Sequence, residues 1–207
     1  MASEKIRIAV VTGGHGFAER EFDAAFASMT DLDVVREELA EFVRDPARTE
    51  YASVVFYNFH QPKPDPATAE ALLELTRNGQ GIVVLHHAIL AFLEWDEWAH
   101  LVGVEDRKFG YTPGQRITVH VADRDHPIVA GIPDWEMIEE TYQMDSPDDG
   151  VLLTVDHPTS MIDVAWTRDY GKSRVFCFQC GHDDRAYNHP QFREALHRAI
   201  LWTARRI

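Results

Sequence analysis

Positive charge is scarce in this sequence. Lys and Arg number 20 against 34 Asp and Glu, a formal net charge of −14 at pH 7. Binding to phosphate-rich surfaces requires clustered cations, so neither nucleic acid nor an anionic membrane is an expected partner. Cysteine is rarer still, with only Cys177 and Cys180 in the chain. They give no disulfide framework, and a lone C-x-x-C lacks the four ligands of a structural zinc site. Residues i and i+3 of a strand point to opposite faces, which also rules out a redox pair. Both read as packing residues, with Cys180 the nearer to a site. No apolar run approaches the roughly 18 residues of a membrane span. The opening Met1-Ala2-Ser3-Glu4-Lys5 passes straight into a strand and lacks the apolar core of a signal peptide, so a cytoplasmic protein is expected. Repeats, low-complexity segments and linkers are absent, and residues 1–207 are expected to form a single domain.

What is present is a βα rhythm. Hydrophobic residues make up 45% of the chain, enough for one core. Runs 6–11, 53–58, 82–85 and 174–180 are apolar on both alternations, as strands buried on both faces of a parallel sheet are. A short strand is predicted over 33–36. Helices are predicted after Gly16, with Phe22, Phe26 and Met29 on one side, from Pro66 to Arg77, from Ile89 to Leu101, and after His189-Pro190. Asp65-Pro66 is an N-cap followed by proline at the first helical position, and Asn78-Gly79 is a helix stop. After Leu101 the rhythm changes. Residues 109–115 read as a loop. Residues 116–121, 151–155 and 162–166 read as strands without helices between them, an antiparallel or mixed extension of a mostly parallel sheet.

Histidines recur where strands end. His86 and His87 follow 82–85, His60 follows 53–58, His182 follows 174–180, and His15 sits in the turn Gly13-Gly14-His15-Gly16. Ligands of open parallel α/β sheets bind at the carboxyl ends of the strands. The glycine turn is neither a dinucleotide fingerprint nor a Walker loop; it allows close backbone approach at Gly14 and carries His15. His15, His86 and His182 are expected to converge. His60 and His87 are second choices, since adjacent elbow residues do not easily both enter a cleft.

Several motifs fall in a recognisable order. They are Gly79-Gln80-Gly81-Ile82-Val83-Val84-Leu85-His86, Asp125-His126-Pro127-Ile128, Glu139-Glu140-Thr141-Tyr142, Val164-Ala165-Trp166-Thr167-Arg168-Asp169-Tyr170-Gly171-Lys172-Ser173-Arg174-Val175-Phe176, and Gly181-His182. With them the chain resembles the ThuA-like (trehalose utilisation) family. The departures are Glu139, where the family more often has Asp, and Ser173, where it more often has glycine. The first leaves open which acidic residue occupies the site. The resemblance implies a three-layer α/β fold of the flavodoxin-like, class I glutamine amidotransferase-like kind, and a role in the metabolism of disaccharides or keto-sugars.

True amidotransferases of that fold carry a nucleophilic cysteine at a strand-to-helix elbow. Here the elbow residue is His86, and His182 corresponds to the triad histidine, so glutaminase chemistry lacks its nucleophile. Imidazoles titrate near neutral pH and suit proton shuttling. His86, His182, Glu140 and Tyr142 are therefore the catalytic candidates, with Gly14, His15, His60, His87 and Trp166 as substrate contacts. Glu140 is preferred over Glu139 because it shares a strand face with Tyr142. Three imidazoles with a carboxylate equally suit a divalent metal such as zinc, with His15, His86, His182 and Glu140 as ligands. Trp95, Trp98, Trp135 and Trp166 offer faces for a sugar to stack on, or fill the core. The partner is a small-molecule carbohydrate, self-association into a homo-oligomer remaining open. The alternative to an enzyme is a non-catalytic sugar- or metal-binding protein.

Overall fold

A computed structural model describes residues 4–147 and 150–207; Met1-Ala2-Ser3 of the amino-terminal reading lie outside them. The two-sided apolar runs become strands β1 (Ile6–Gly13), β3 (Ser53–Asn58), β4 (Gly81–Leu85) and β9 (Ser173–Phe178). Every residue of β3 and β4 is buried, so helices and loops cover both faces of the sheet there. The short strand β2 (Leu32–Glu38) flanks β1. Helices α1 (Glu19–Ala27), α3 (Pro66–Asn78) and α6 (Pro190–Thr203) connect or follow these strands, and α2 (Leu39–Phe42) and α5 (Asp184–Tyr187) are single turns. Helix α3 begins and ends where its signals stand. The Asp65 carboxylate accepts the Ala67 and Thr68 N–H groups, Pro66 opens the first turn, and Gly79 closes it at φ +81°. In α6, Phe192, Leu196, Ala199 and Ile200 form the buried stripe over β4 and β9.

The middle third supplies β5 (Gly110–Val121), β6 (Trp135–Gln143), β7 (Val151–Val155) and β8 (Asp163–Tyr170). Among the described residues the strands form one sheet in the order β2-β1-β3-β4-β9-β8-β7-β5-β6. The pairs from β2 through β9 are parallel, and those from β9 through β6 are antiparallel. The sheet is thus mixed, and the expectation of a mostly parallel one is corrected. Four strands joined without intervening helices can only pair antiparallel to near neighbours, and together they extend the five-stranded parallel half by four strands.

Two segments differ from their sequence reading. Residues 89–101 are not one helix: a 3-10 turn (His86–Leu90) leads through an irregular stretch into α4 (Asp96–Val102). Residues 109–115 are not a loop. Gly110, Tyr111 and Thr112 pair with Gln143, Tyr142 and Thr141, and the bulge between Thr112 and Gln115 absorbs Pro113 and Gly114.

Candidate functional site

The carboxyl ends of β1, β3, β4 and β9 open into a cavity of about 440 Å³, closed on one side by β5 and β6. A larger hollow of about 740 Å³ runs between α1 and β2 and holds none of the candidate site residues. The smaller one is lined by His15, His86, His87, Glu140, Tyr142 and His182.

Strand β4 ends at an elbow. His86 adopts φ +52°, a left-handed conformation that a β-carbon makes unfavourable by about 1–3 kcal/mol. Its surroundings hold it there. Nδ1–H donates to the Gln179 carbonyl at 2.6 Å, which leaves the Nε2 lone pair facing the cavity. The Tyr142 hydroxyl donates to Nε2 at 2.9 Å. His182 Nδ1 lies 3.1 Å from Nε2. Glu140 Oε1 is 3.6 Å from His86 Nε2 and 3.3 Å from His182 Nδ1. One donor atom each from His86, Glu140 and His182 falls within 4.8 Å of the other two. Burial lowers the His86 imidazole and keeps it neutral. Burial also works to raise the Glu140 carboxyl, but the neighbouring His86 and His182 rings outweigh it and leave it below its usual range.

The strained elbow brings both adjacent histidines to the cavity, contrary to the expectation that only one enters. His87 donates Nε2–H to the Tyr57 carbonyl at 3.0 Å, and burial drives its imidazole down to about 2. His15 packs against it with the rings tilted by 37° and 4.8 Å between their centres. His15 also lies 6.2 Å from the His182 ring, outside the three-donor group. It lines the wall of the cavity.

Three other expected contacts are placed elsewhere. Gly14 does not line the cavity. At φ +76° its missing side chain lets the backbone pass Phe59, whose carbonyl a Cβ would meet at 2.7 Å. His60 turns to Asn58 and sits against Gly13. Trp166 is a core residue whose indole N–H donates to the Val102 carbonyl, and none of Trp95, Trp98 and Trp135 reaches the cavity either. The aromatic side chains that do line it, besides the histidines, are Phe59, Phe109, Tyr111 and Tyr142. Cys177 and Cys180 are free and fully buried, with thiols raised by burial, so no thiolate is offered to a substrate.

Several supporting residues escaped the sequence reading. Glu139 and Glu140 are both buried, at 1% and 7% exposure. The Glu139 carboxylate accepts the N–H groups of Gly181, His182 and Glu140, and so pins the turn that carries His182. Burial pushes this carboxyl up to about 8, while the three N–H donors pull toward the charged form. The Tyr57 and Tyr187 hydroxyls hold the same turn from its other side, through the carbonyls of Gly181 and His182. Gln179 ties three strands together: its carbonyl takes the His86 proton and its side-chain N–H donates to the Glu140 carbonyl. A glutamine inside the apolar run 174–180 was the available signal.

A family model described as ThuA, trehalose utilisation, matches residues 7–203. The chain belongs to the ThuA family. Solved ThuA-like structures agree in fold. One from Parabacteroides merdae has a TM-score of 0.80 at 22% identity, covering 97% of this chain and 90% of that one. One from Bacteroides uniformis has a TM-score of 0.77 at 19% identity, covering 98% and 93%. A protein from Salmonella typhimurium described as cytoplasmic has a TM-score of 0.70 at 12% identity, covering 94% and 98%. Among curated proteins, none matches. No helix among the described residues of this ThuA-family chain is long and apolar enough to cross a membrane.

Proposed function

We propose that the protein is an enzyme of carbohydrate metabolism acting on a disaccharide or keto-sugar through metal-assisted acid/base chemistry, as an isomerase, lyase or hydrolase. His86, Glu140 and His182 hold a divalent ion such as zinc. The observation that carries this reading is the donor triangle, with edges of 3.1, 3.3 and 3.6 Å. Tetrahedral ligands at zinc bond lengths stand about 3.3 Å apart, so the three atoms fit one face of such a shell and leave a fourth position for substrate or water. The bond behind the ring supports this reading, because a ligating imidazole usually donates its other N–H to a carbonyl, as His86 does to Gln179. The ion supplies Lewis acidity toward a carbonyl or hydroxyl oxygen. With the Nε2 lone pair given to the ion, the Tyr142 hydroxyl 2.9 Å away would be released from it and placed to pass a proton at that oxygen. Glutamine amidotransfer is not proposed, because the cavity has no thiol.

Metal analysis of the purified protein, followed by a screen of keto-sugars for turnover, tests the proposal. Stoichiometric divalent metal that is lost in His182→Ala, together with metal-dependent turnover, is the expected result. A metal-free protein whose activity survives chelation would reject the metal, and sugar binding without turnover would leave a binding protein.

A further inference from the structure

One large side chain at the cavity is conspicuously exposed. Tyr111 shows 64% of its surface, and it is the only exposed large apolar residue among the described ones that also lines the cavity. It is not a mobile loop residue. Tyr111 stands directly opposite Tyr142 in the β5–β6 ladder, so the two side chains share a face of the sheet. Phe109 lies 6.4 Å from the Tyr111 ring and 5.7 Å from the Tyr142 ring. Tyr142 in turn stacks on His86 at 4.9 Å. A continuous row of rings therefore leads from solvent to the histidine cluster. Each ring is fixed by ladder or core contacts.

Beside this row Gln61 offers an amide donor and acceptor. Among the described residues no Lys or Arg lines the cavity, and Glu140 is its one carboxylate. The outer end thus has flat apolar faces and a neutral amide, with nothing to neutralise a phosphate or carboxylate. A pyranose matches this surface, since its C–H face lies on an aromatic ring while its hydroxyls bond a neutral amide. A phosphorylated sugar does not.

We propose that Tyr111 and Phe109 form a stacking subsite for the outer ring of an uncharged saccharide whose inner ring reaches His86, His182 and Glu140. This rests on the saccharide reading of the cavity but not on its metal. It assigns the specificity for length and charge to the start of β5 and the residue just before it, a segment that contributes no group to the donor triangle. One ring alone would gain nothing from Tyr111; two linked rings would.

The test is calorimetric titration of the full-length protein, as purified, with trehalose, maltose, glucose and glucose 6-phosphate. Metal content is measured on the same samples. The disaccharides should bind more tightly than either monosaccharide. Tyr111→Ala should erase about 2- to 10-fold of that preference, with glucose binding and metal content unchanged, while Tyr111→Phe should retain it. Four results would overturn the subsite: equal loss for disaccharides and glucose in Tyr111→Ala, no loss at all, tightest binding by glucose 6-phosphate, or no sugar bound by the wild type. Sedimentation guards against a different role, since dissociation of an oligomer by Tyr111→Ala would place the ring in a subunit interface and also overturn it. The two readings fail separately. A metal-free protein that still loses disaccharide preference in Tyr111→Ala keeps the subsite and discards the metal, and a metal-loaded protein indifferent to the substitution does the reverse.

Discussion

Two neighbouring glutamates divide the work at the site. Alternation along a strand sends Glu140 and Glu139 to opposite faces, and the reading of Glu140 as the residue facing Tyr142 and the histidines rests on that and on the family's acidic-pair-x-Tyr pattern. Alternation says nothing about what lies behind the other face. There the turn after β9 presents three N–H groups, and Glu139 satisfies them. Glu139 is therefore a positioning residue for His182, not surface charge or a spare acid. Glu139→Gln replaces an acceptor oxygen with a donor amide and should destabilise the protein by about 1–3 kcal/mol, with loss of metal as His182 shifts. Glu140→Gln should abolish metal binding and activity while barely moving the midpoint of the metal-free protein. Urea melts in chelator alongside metal content separate the two; identical melts for both variants would contradict the assignment.

At the scale of elements, the elbow after β4 shows how tertiary bonds override a plausible helix. Residues 89–101 are apolar and helix-compatible, yet the Phe92 and Leu93 N–H groups donate to the carbonyls of His60 and Gln61. The stretch thereby lies against the loop after β3 and cannot close helical bonds. The carbonyls left over are gathered by Arg107, which is buried and donates to those of Ile89, Ala91, Phe92 and Leu93. Burial lowers its guanidinium to about 10, still charged at neutral pH. No local pattern marks this arginine, because its partners are set by the fold of a segment 14 or more residues away in the chain. Arg107→Met should cost about 1–3 kcal/mol in unpaired carbonyls and loosen the His86–His87 elbow, seen as weakened metal affinity. Arg107→Lys should recover only part, since a point charge cannot fork across four acceptors. Full metal affinity in Arg107→Met would show that the elbow stands without its strap. The strand over 110–112 was hidden for a related reason: Gly110, Pro113 and Gly114 are turn formers by local preference, and only pairing with β6 around a bulge makes them part of a ladder.

The whole molecule answers to pH through its buried histidines. His87 takes up a proton near 6.5 when unfolded but only near 2 when folded. The unfolded chain binds more protons throughout that window, so stability is whole above about 6.5 and falls as pH drops through it, by about 1.4 kcal/mol per unit. His87→Gln keeps an N–H for the Tyr57 carbonyl and removes the titration. Between pH 7.5 and 5, wild type should lose about 2 kcal/mol more than this variant in urea melts; equal losses would mean His87 does not stay neutral. The sheet and the site share one division between sequence and structure. The βα half, the caps of α3, the histidines at strand ends and family membership were all legible in the chain, because they follow from apolar alternation, from cap chemistry within a few residues and from motifs in a fixed order. The partition of the sheet into parallel and antiparallel halves, the burial of both glutamates, the position of His15 outside the donor triangle, and the replacement of tryptophan by Tyr111 and Phe109 at the cavity were decided by tertiary structure. Each depends on which group arrives from a strand or turn distant in sequence. Local pattern specifies the face a side chain takes; only the assembled sheet specifies what that face meets.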